Sequence, residues 1–207
     1  MGERGAWPHP AYAIYTPRLV IRCWDRGDVD AMHETILANV AALGPWMPWV
    51  EQEPLDRAAR VERVRKCRGL FDLGESFIYG IFDAKDARVL GGTGLHPRTS
   101  PGALEIGYWI VRDRWGEGLG TEVAGALTRV AFEIMDAGRV EIRVDPSNAR
   151  SQAIPRKLGY REEGTLRGVG EPRGGNPARA DLTIFALLRS ELPESAAAAI
   201  PIRTESF

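Results

Sequence analysis

The spacing of apolar residues divides the first half of the chain into helices followed by strands. Apolar side chains recur every three or four positions over residues 29–40 and 61–71, which predicts two helices after a short strand at residues 18–22. Pro45 and Pro48 separate the two helices, because proline removes a helical hydrogen-bond donor. Three further segments have the composition of strands bounded by turn residues, namely residues 77–83, 89–95 and 103–111.

The second half of the chain carries its strongest helical pattern. Apolar residues recur at intervals of three and four over residues 119–134, and a strand at residues 140–144 follows. A short helix that ends at Gly159 and two strands, at residues 160–169 and 181–188, complete the pattern. The strand–helix–strand unit predicts a right-handed parallel crossover, and the three strands before it predict an antiparallel meander. We therefore predict an α/β fold of the α+β type, with a single mixed, mostly antiparallel sheet flanked by helices.

Length and composition favour one globular domain. The chain has 207 residues, of which 44% are hydrophobic and 27% charged, so it can bury a core without disulfide or metal staples. Glycine, proline and aromatic residues predict an extended arm at residues 1–13, before a single domain at residues 14–192. Residues 193–207 contain four consecutive alanines and are predicted to form a loosely ordered tail.

Charge, cysteine and histidine content exclude several classes of protein. Lys plus Arg number 27 and Asp plus Glu 28, so the basic excess typical of nucleic-acid-binding proteins is missing. The two cysteines and three histidines have no spacing typical of a metal site, and we predict no metal. No apolar run approaches the ~20 residues of a membrane span, and the first residues lack an apolar signal segment. These features predict a cytoplasmic protein that binds neither membranes nor nucleic acid.

A glycine-rich loop at residues 114–121 precedes the strongest helix. Glycines let the backbone approach a ligand closely, and the first N–H groups of a helix have no partner within the helix. Together they predict an anion site at the helix N-terminus. The P-loop pattern fails because no Lys-Ser or Lys-Thr follows the glycines. The dinucleotide pattern fails because Thr121 stands where the third glycine is needed, which disfavours a nucleotide-dependent oxidoreductase.

This loop resembles the pyrophosphate loop of the GCN5-related N-acetyltransferase (GNAT) superfamily. The family pattern Q/R-x-x-G-x-G/A aligns with residues 115–120, except that Trp115 replaces the first Gln or Arg. Tryptophan at this position, followed by Gly-x-Gly-x-Gly-Thr-Glu, is similar to the RimJ/RimL group of ribosomal-protein N-terminal acetyltransferases. Further stretches that resemble this group, in the same order and spacing, are residues 16–22, 105–109, 148–151 and 157–160.

The resemblance implies a GNAT fold, whose central β-α-β unit binds acetyl-CoA as the acetyl donor. Its strands separate at residues 110–112 and 140–144, and the thioester lies in the gap. Asn148 would hydrogen-bond the pantetheine, although an asparagine here is also typical of a simple helix cap. The backbone groups expected to contact the pantetheine belong to Ile110, Val111 and Arg112, and those expected to contact the pyrophosphate to Gly116, Glu117, Gly118, Leu119, Gly120 and Thr121.

Acyl transfer to an amine needs a neutral nucleophile and support for the departing thiolate. An α-amine, with a pKa of ~7.7–8.0, is about one-tenth neutral at pH 7, whereas lysine is neutral in about one part in 2,500. Glu105 is the candidate base, and a solvated or ion-paired strand carboxylate is the alternative. Ser151 is the candidate hydrogen-bond donor to sulfur, with a helix cap as the alternative.

The acceptor side is predicted from the aromatic loop between the first two helices. Trp46 and Trp49, with Met47 and Pro48 between them, either wall the acceptor pocket or plug the core. Gly107, whose missing side chain leaves room, and Tyr108 complete the predicted acceptor site.

We predict acetyl transfer by direct attack in a ternary complex, most simply onto the N-terminal α-amine of a protein or peptide. A small amine such as an amino acid, polyamine or antibiotic is an alternative acceptor, and a non-catalytic acyl-CoA sensor is an alternative function. Monomer and homodimer both stay open, and so does the basic face of the second helix, which is either solvated or docks an acidic protein.

Overall fold

The computed structural model describes residues 7, 8, 10–98 and 100–206, which form one nine-stranded sheet with four α-helices. Predictions for residues 1–6, 9, 99 and 207 lie outside this range. In chain order the elements are β1 (Ala13–Tyr15), β2 (Leu19–Cys23), α1 (Val29–Leu43), α2 (Arg57–Asp72), β3 (Phe77–Asp83), β4 (Val89–Pro97), β5 (Ala103–Ile110), α3 (Leu119–Arg129), β6 (Arg139–Val144), α4 (Ala149–Leu158), β7 (Arg161–Leu166), β8 (Leu182–Leu188) and β9 (Arg203–Glu205).

The sheet is mixed and mostly antiparallel, which confirms the predicted fold class. Its strand order is β7-β8-β6-β5-β4-β3-β2-β1-β9, and β5 and β6 are the parallel neighbours among the described strands. α3 lies in the connection between these two strands, as the predicted crossover requires. None of the described helices is long and apolar enough to cross a membrane.

The two parallel strands separate soon after they pair. Residues 103–105 of β5 pair with residues 139–141 of β6, and no later residues of the two strands are paired. β6 continues against β8, and β5 continues against β4 up to Ile110. The sheet therefore opens between the carboxyl ends of β5 and β6, where the facing backbone groups of the two strands are not paired with each other. The resemblance places the donor thioester in this opening.

Helices cover both faces of the sheet. Side chains alternate between faces along β3, where Tyr79 and Ile81 join the apolar cluster packed under α3. Ile78 and Phe82 instead belong to the cluster beneath α1 and α2. The face covered by α1 and α2 is the one that Gly107 shares with Trp109, so an acceptor bound there would lie between the sheet and these helices.

The aspartates that precede the first two helices have different roles. Asp56 caps α2, since its carboxylate accepts a hydrogen bond from the Ala59 N–H at 2.7 Å. Asp28 precedes α1 but makes no side-chain cap there. Its carboxylate accepts instead from Arg22 and from the Asp25 N–H, because a short 3-10 turn precedes the helix.

The predicted C-terminal tail is an ordered part of the domain, which corrects the sequence prediction. β9 pairs with β1, and Ala197 is completely buried. Ile200 packs on α3 above Gly125, where an added Cβ would lie 2.5 Å from Ile200 Cγ1. The alanine run suggested disorder because it lacks polar and bulky residues, but small side chains are what this close packing requires. The domain therefore extends past residue 192 to β9.

The last residues of the predicted arm also belong to the sheet. β1 begins at Ala13, and Ala11 is completely buried. The Tyr79 hydroxyl donates a hydrogen bond to the Ala11 carbonyl at 3.1 Å. The predicted arm therefore ends at least three residues too late, because residues 11–13 belong to the sheet and its core.

Candidate active site

The glycine-rich loop forms the N-terminus of α3 as predicted. Gly116 and Gly118 have φ values of 88° and 80°, a left-handed conformation that favours glycine. No described residue accepts a hydrogen bond from the N–H groups of residues 116–121. Gly120 has another role, because a Cβ there would lie 2.8 Å from Ile154 of α4. The loop thus offers unpaired donors at a helix N-terminus, the chemistry that holds a phosphate.

Trp115 anchors the loop to the end of β5. Its indole Nε1 donates to the Ile110 carbonyl at 2.7 Å, and the Arg150 guanidinium lies 5.3 Å from its ring centroid. Arg114 pairs with the Glu117 carboxylate at 2.8 Å, which offsets a negative charge beside the anion site. The tryptophan that departs from the general family pattern therefore fixes the loop to the strand.

Two segments that lie far apart in sequence meet at the first turn of α3. The Arg18 guanidinium contacts the Glu122 carboxylate at 2.6 Å and the Glu117 carbonyl at 2.8 Å. The Thr16 hydroxyl donates to Glu122 at 2.5 Å. The stretches 16–22 and 115–120, which carried the resemblance separately, thus form one structural unit, and spacing along the chain gave no sign of this contact.

Part of the strand end predicted to pair with the pantetheine already forms hydrogen bonds within the protein. The Arg112 N–H donates to Asn39 Oδ1 of α1 at 2.8 Å, and the Val111 N–H donates to the Leu90 carbonyl of β4. The Arg112 N–H is therefore already bonded to Asn39, and the contact of Arg112 with the pantetheine stays a prediction. The Ile110 carbonyl keeps a second lone pair beyond the one that Trp115 occupies.

The side chain of Arg112 faces a concave surface beside the loop. This surface encloses about 420 Å³ and is open to solvent. Its lining residues are Ala42, Trp46, Arg112, Trp115 and Arg150. Two guanidinium groups next to unpaired N–H donors suit a ligand that carries several phosphates.

A second cavity, of about 400 Å³, lies between the sheet and α1 and α2. It reaches from the buried pair Glu53–Arg60 to Asn148 and Ser151 at the opening between β5 and β6. Trp46, Met47 and Trp49 line it, whereas Pro48 begins the short turn between them and does not. Gly107, Tyr108 and Trp109 line it from β5. The Trp49 and Trp109 ring centroids lie 6.0 Å apart, so the aromatic loop is both a cavity wall and part of the packing.

Ser151 and Tyr108 meet at the mouth of this cavity. Tyr108 Oη lies 3.2 Å from Ser151 Oγ and 3.4 Å from the Ser151 carbonyl, which it can donate to. That carbonyl has no helical partner because Pro155, four residues later, lacks an N–H. Burial raises the pKa of Tyr108 to about 12, so its hydroxyl stays protonated at neutral pH.

Asn148 is the cap of α4, and its Oδ1 accepts from the Ser151 N–H at 3.1 Å. This is the alternative left open by the sequence, and it coexists with the position of Asn148 on the cavity wall. α4 begins directly after Asn148 and carries Pro155 within it.

Glu105 lies on the cavity wall between two arginines. Its Oε2 is 3.2 Å from Arg98 and 3.2 Å from Arg143, the ion-paired arrangement that the sequence left as an alternative. Burial raises the pKa of Glu105, and the two guanidinium groups act against that rise. His96 of β4 pairs with Glu105 across the sheet and lines the same cavity, although sequence spacing had not singled it out.

The loop between β7 and β8 contributes Arg173 to the cavity wall. Arg173, only 8% exposed, forms an ion pair with Asp145 at the end of β6. The Gly175 N–H lies 3.5 Å from a Glu51 carboxylate oxygen on the aromatic turn. Among the described residues, no group of three or more His, Cys, Asp or Glu side chains is placed to hold a metal ion.

Comparisons with known proteins agree with this geometry. A family model described as the acetyltransferase (GNAT) domain matches residues 18–161. The "Putative ribosomal N-acetyltransferase YdaF" of Bacillus subtilis (strain 168) is 28% identical over 178 residues, covering 84% of this chain and 92% of that protein. The ribosomal protein uS5-alanine N-acetyltransferase of Escherichia coli (strain K12) is 26% identical over 157 residues, covering 75% and 81%.

Solved structures give the same result. Mycobacterium smegmatis RimJ in complex with CoA-disulfide superposes with a TM-score of 0.75 at 25% identity, over 93% of this chain and 93% of that chain. RimL, a ribosomal L7/L12 alpha-N-protein acetyltransferase in complex with coenzyme A, shares the fold with a TM-score of 0.75 at 24% identity, over 84% and 95%. Acetyl-CoA is the acetyl donor of GNAT acetyltransferases. The chain is therefore a RimJ/RimL-like member of the GNAT family of N-acetyltransferases.

Proposed function

We propose that this protein transfers the acetyl group of acetyl-CoA to the N-terminal α-amine of a protein or peptide, by direct attack in a ternary complex. The observation that carries the proposal is the cavity of about 400 Å³ that opens between β5 and β6. Its volume lies in the ~300–1,000 Å³ range of ligand sites. Relatives named as ribosomal-protein N-acetyltransferases support an α-amine acceptor over a small amine.

The donor would bind on the other side of this opening. Its pyrophosphate would accept hydrogen bonds from the N–H groups of residues 116–121, and Arg112 and Arg150 would add charge. Ser151 would donate to the departing sulfur, with Tyr108 fixing its position. Because a thiol has a pKa of ~8.5, a hydrogen bond suffices to stabilise much of the developing charge.

Most charged side chains of the acceptor cavity are paired with a charge of opposite sign. Arg60 and Glu53 are each 2% exposed and lie 2.7 Å apart at one end, and Arg173 pairs with Asp145 at the other. A site whose charges are mostly paired suits a peptide, whose backbone offers donors and acceptors without net charge. This arrangement gives less support to a polycationic acceptor such as a polyamine.

The test is acetyl-CoA turnover, measured by release of thiol, against matched acceptors. One set of peptides carries an open N-terminus and no lysine, a second carries a blocked N-terminus and one lysine, and a third set contains small amines. We expect the first set to be used best, and mass spectrometry of the product to locate the acetyl group on the α-nitrogen. Preference for small amines would reject the α-amine acceptor, and acetyl-CoA binding without any turnover would favour the sensor.

The pH dependence separates the two amine classes independently. For an α-amine, kcat/KM rises with pH and levels off near pH 8–9, because the neutral fraction saturates above a pKa of ~7.7–8.0. For lysine the rise continues toward pH ~10. A continuing rise with the best peptide would contradict the proposal.

A further inference from the structure

The ring of His96 fills a space that two glycines leave on the cavity face of the sheet. β4 and β5 pair Gly94 with Gly107 and His96 with Glu105. A Cβ added at Gly94 would lie 2.9 Å from His96 Nε2, and one added at Gly107 would lie 3.5 Å from it. Side chains at these positions would therefore crowd the ring, and their absence leaves Nε2 at the edge of the cavity.

His96 has the properties of a proton acceptor in its resting state. No described residue forms a hydrogen bond or ion pair with its ring. Burial lowers the pKa of His96, and the positive charge of Arg98 lowers it further. The imidazole is therefore mostly neutral at pH 7, with a nitrogen able to take a proton.

Glu105, the other group at this position, is less suited to accept the proton. Its Oε2 is shared between Arg98 and Arg143, each at 3.2 Å. Burial raises the pKa of Glu105, but protonation would remove the negative charge from both ion pairs at once, which opposes proton uptake. The negative charge of Glu105, which lies between the two guanidinium groups, instead limits how far they lower the pKa of the neighbouring His96.

We propose that His96 Nε2 is the general base that accepts the proton of the acceptor amine. This inference rests on the proposed acetyl transfer in this cavity. The amine lone pair forms the N–C bond, the C–S bond breaks, and its electron pair leaves on sulfur. The amine proton passes to His96 Nε2 and then to water, and the thiolate takes a proton from solvent, since a thiol with a pKa of ~8.5 is mostly protonated at pH 7.

Charged groups around His96 come from every neighbouring element. On the sheet they are Arg98, Glu105, Glu141 and Arg143, and across the cavity they are Glu53, Arg60 and Arg63. Removing the carboxylate of Glu105 takes away the ion-pair partner of Arg98 near the ring, while Arg143 keeps its contact with Glu141. We therefore expect Glu105→Gln to lower the pKa of His96 further.

The experiment compares His96→Gln with a matched control, His33→Gln on α1, which does not line the cavity. Glutamine keeps a polar side chain but takes no proton near neutral pH. We expect His96→Gln to lower kcat at pH 7 by about a hundredfold, in the range of general-base catalysis. The dissociation constant for acetyl-CoA, measured by calorimetry, should stay unchanged, and the control should keep wild-type kcat.

Two readouts distinguish a base from a residue that only shapes the cavity. NMR titration of the ligand-free protein, assigned with both variants, should give a His96 pKa below 6.5, lowered again in Glu105→Gln. Below that pKa, wild-type kcat/KM should fall by an additional tenfold per pH unit, and His96→Gln should lack this additional fall.

Each contrary result has a separate meaning. Wild-type kcat in a folded His96→Gln protein, a His96 pKa above 7, or a rise in acceptor KM alone would each overturn the base assignment while acetyl transfer stands. A wild-type protein that acetylates no amine would instead overturn the proposed function.

Discussion

Ser151 lies in the first turn of α4 with its hydroxyl 3.2 Å from that of Tyr108. If this hydroxyl stabilises charge on the departing sulfur, Ser151→Ala should lower kcat about ten- to hundredfold, as expected for one lost hydrogen bond of ~1.5–3 kcal/mol to a charged group. The KM for acetyl-CoA should change little, because the bond strengthens only as charge develops. Steady-state kinetics with varied acetyl-CoA measure both values.

Ser190→Ala is the matched control for this substitution. Ser190 is exposed in the turn after β8 and does not line the cavity. An equal loss of kcat in both variants, or an unchanged kcat in Ser151→Ala, would show that Ser151 has only a structural role.

At the residue level, the sequence predicted side chains that belong to motifs and missed those whose partners are distant in the chain. Ser151, Gly107 and Trp46 were predicted and line the cavity. Asn39 was missed because it holds Arg112, 73 residues away. His96 was missed because the space for its ring depends on a glycine in the adjacent strand. The register that brings the two strands together is not visible in the spacing of apolar residues.

The loop before α3 is the element proposed to bind the donor. Gly118→Val adds a β-branched side chain at a φ of 80°, among N–H groups that have no described partner. We expect the dissociation constant for acetyl-CoA to rise at least tenfold, since the added methyl groups occupy the space of the bound phosphate. Calorimetry on the folded variant measures this directly.

Gly74→Val controls for the backbone strain of that substitution. Gly74 has a φ of 71° after α2, with no atom within 4 Å of an added Cβ. Both variants should lose about 1–3 kcal/mol of unfolding free energy, yet only Gly118→Val should lose donor affinity. Equal acetyl-CoA affinity in the two would show that the loop does not bind the donor.

Periodicity predicted which segments form helices and strands more reliably than it predicted the role of their surfaces. The basic face of the second helix stays open between a solvated face and a docking surface, although Arg57, Arg65 and Arg68 pair with carboxylates and Arg60 is buried. β1 and β9 were missed because each has three residues, too few for alternation to appear.

At the scale of the whole molecule, the C-terminal segment contributes to the core. Ile200→Ala should lower the free energy of unfolding by about 1–3 kcal/mol, because it removes methyl groups packed on Gly125 and leaves a gap beside α3. Urea unfolding measures the loss, and Leu73→Ala, at a side chain 69% exposed, should change it by less than ~0.5 kcal/mol. Equal losses of unfolding free energy in the two variants would show that this segment is the loosely ordered tail that its composition suggested.

The pairing of β9 with β1 has a consequence for synthesis on the ribosome. Tyr15 and Glu205, whose side chains hydrogen-bond, are 190 residues apart, so β1 emerges ~10–40 s before its partner at ~5–20 residues per second. During that interval one margin of the nascent sheet carries unmatched peptide groups, a known template for strand addition by other chains. Chaperone dependence or misassembly of this protein should therefore be greatest in chains that stop short of residue 205.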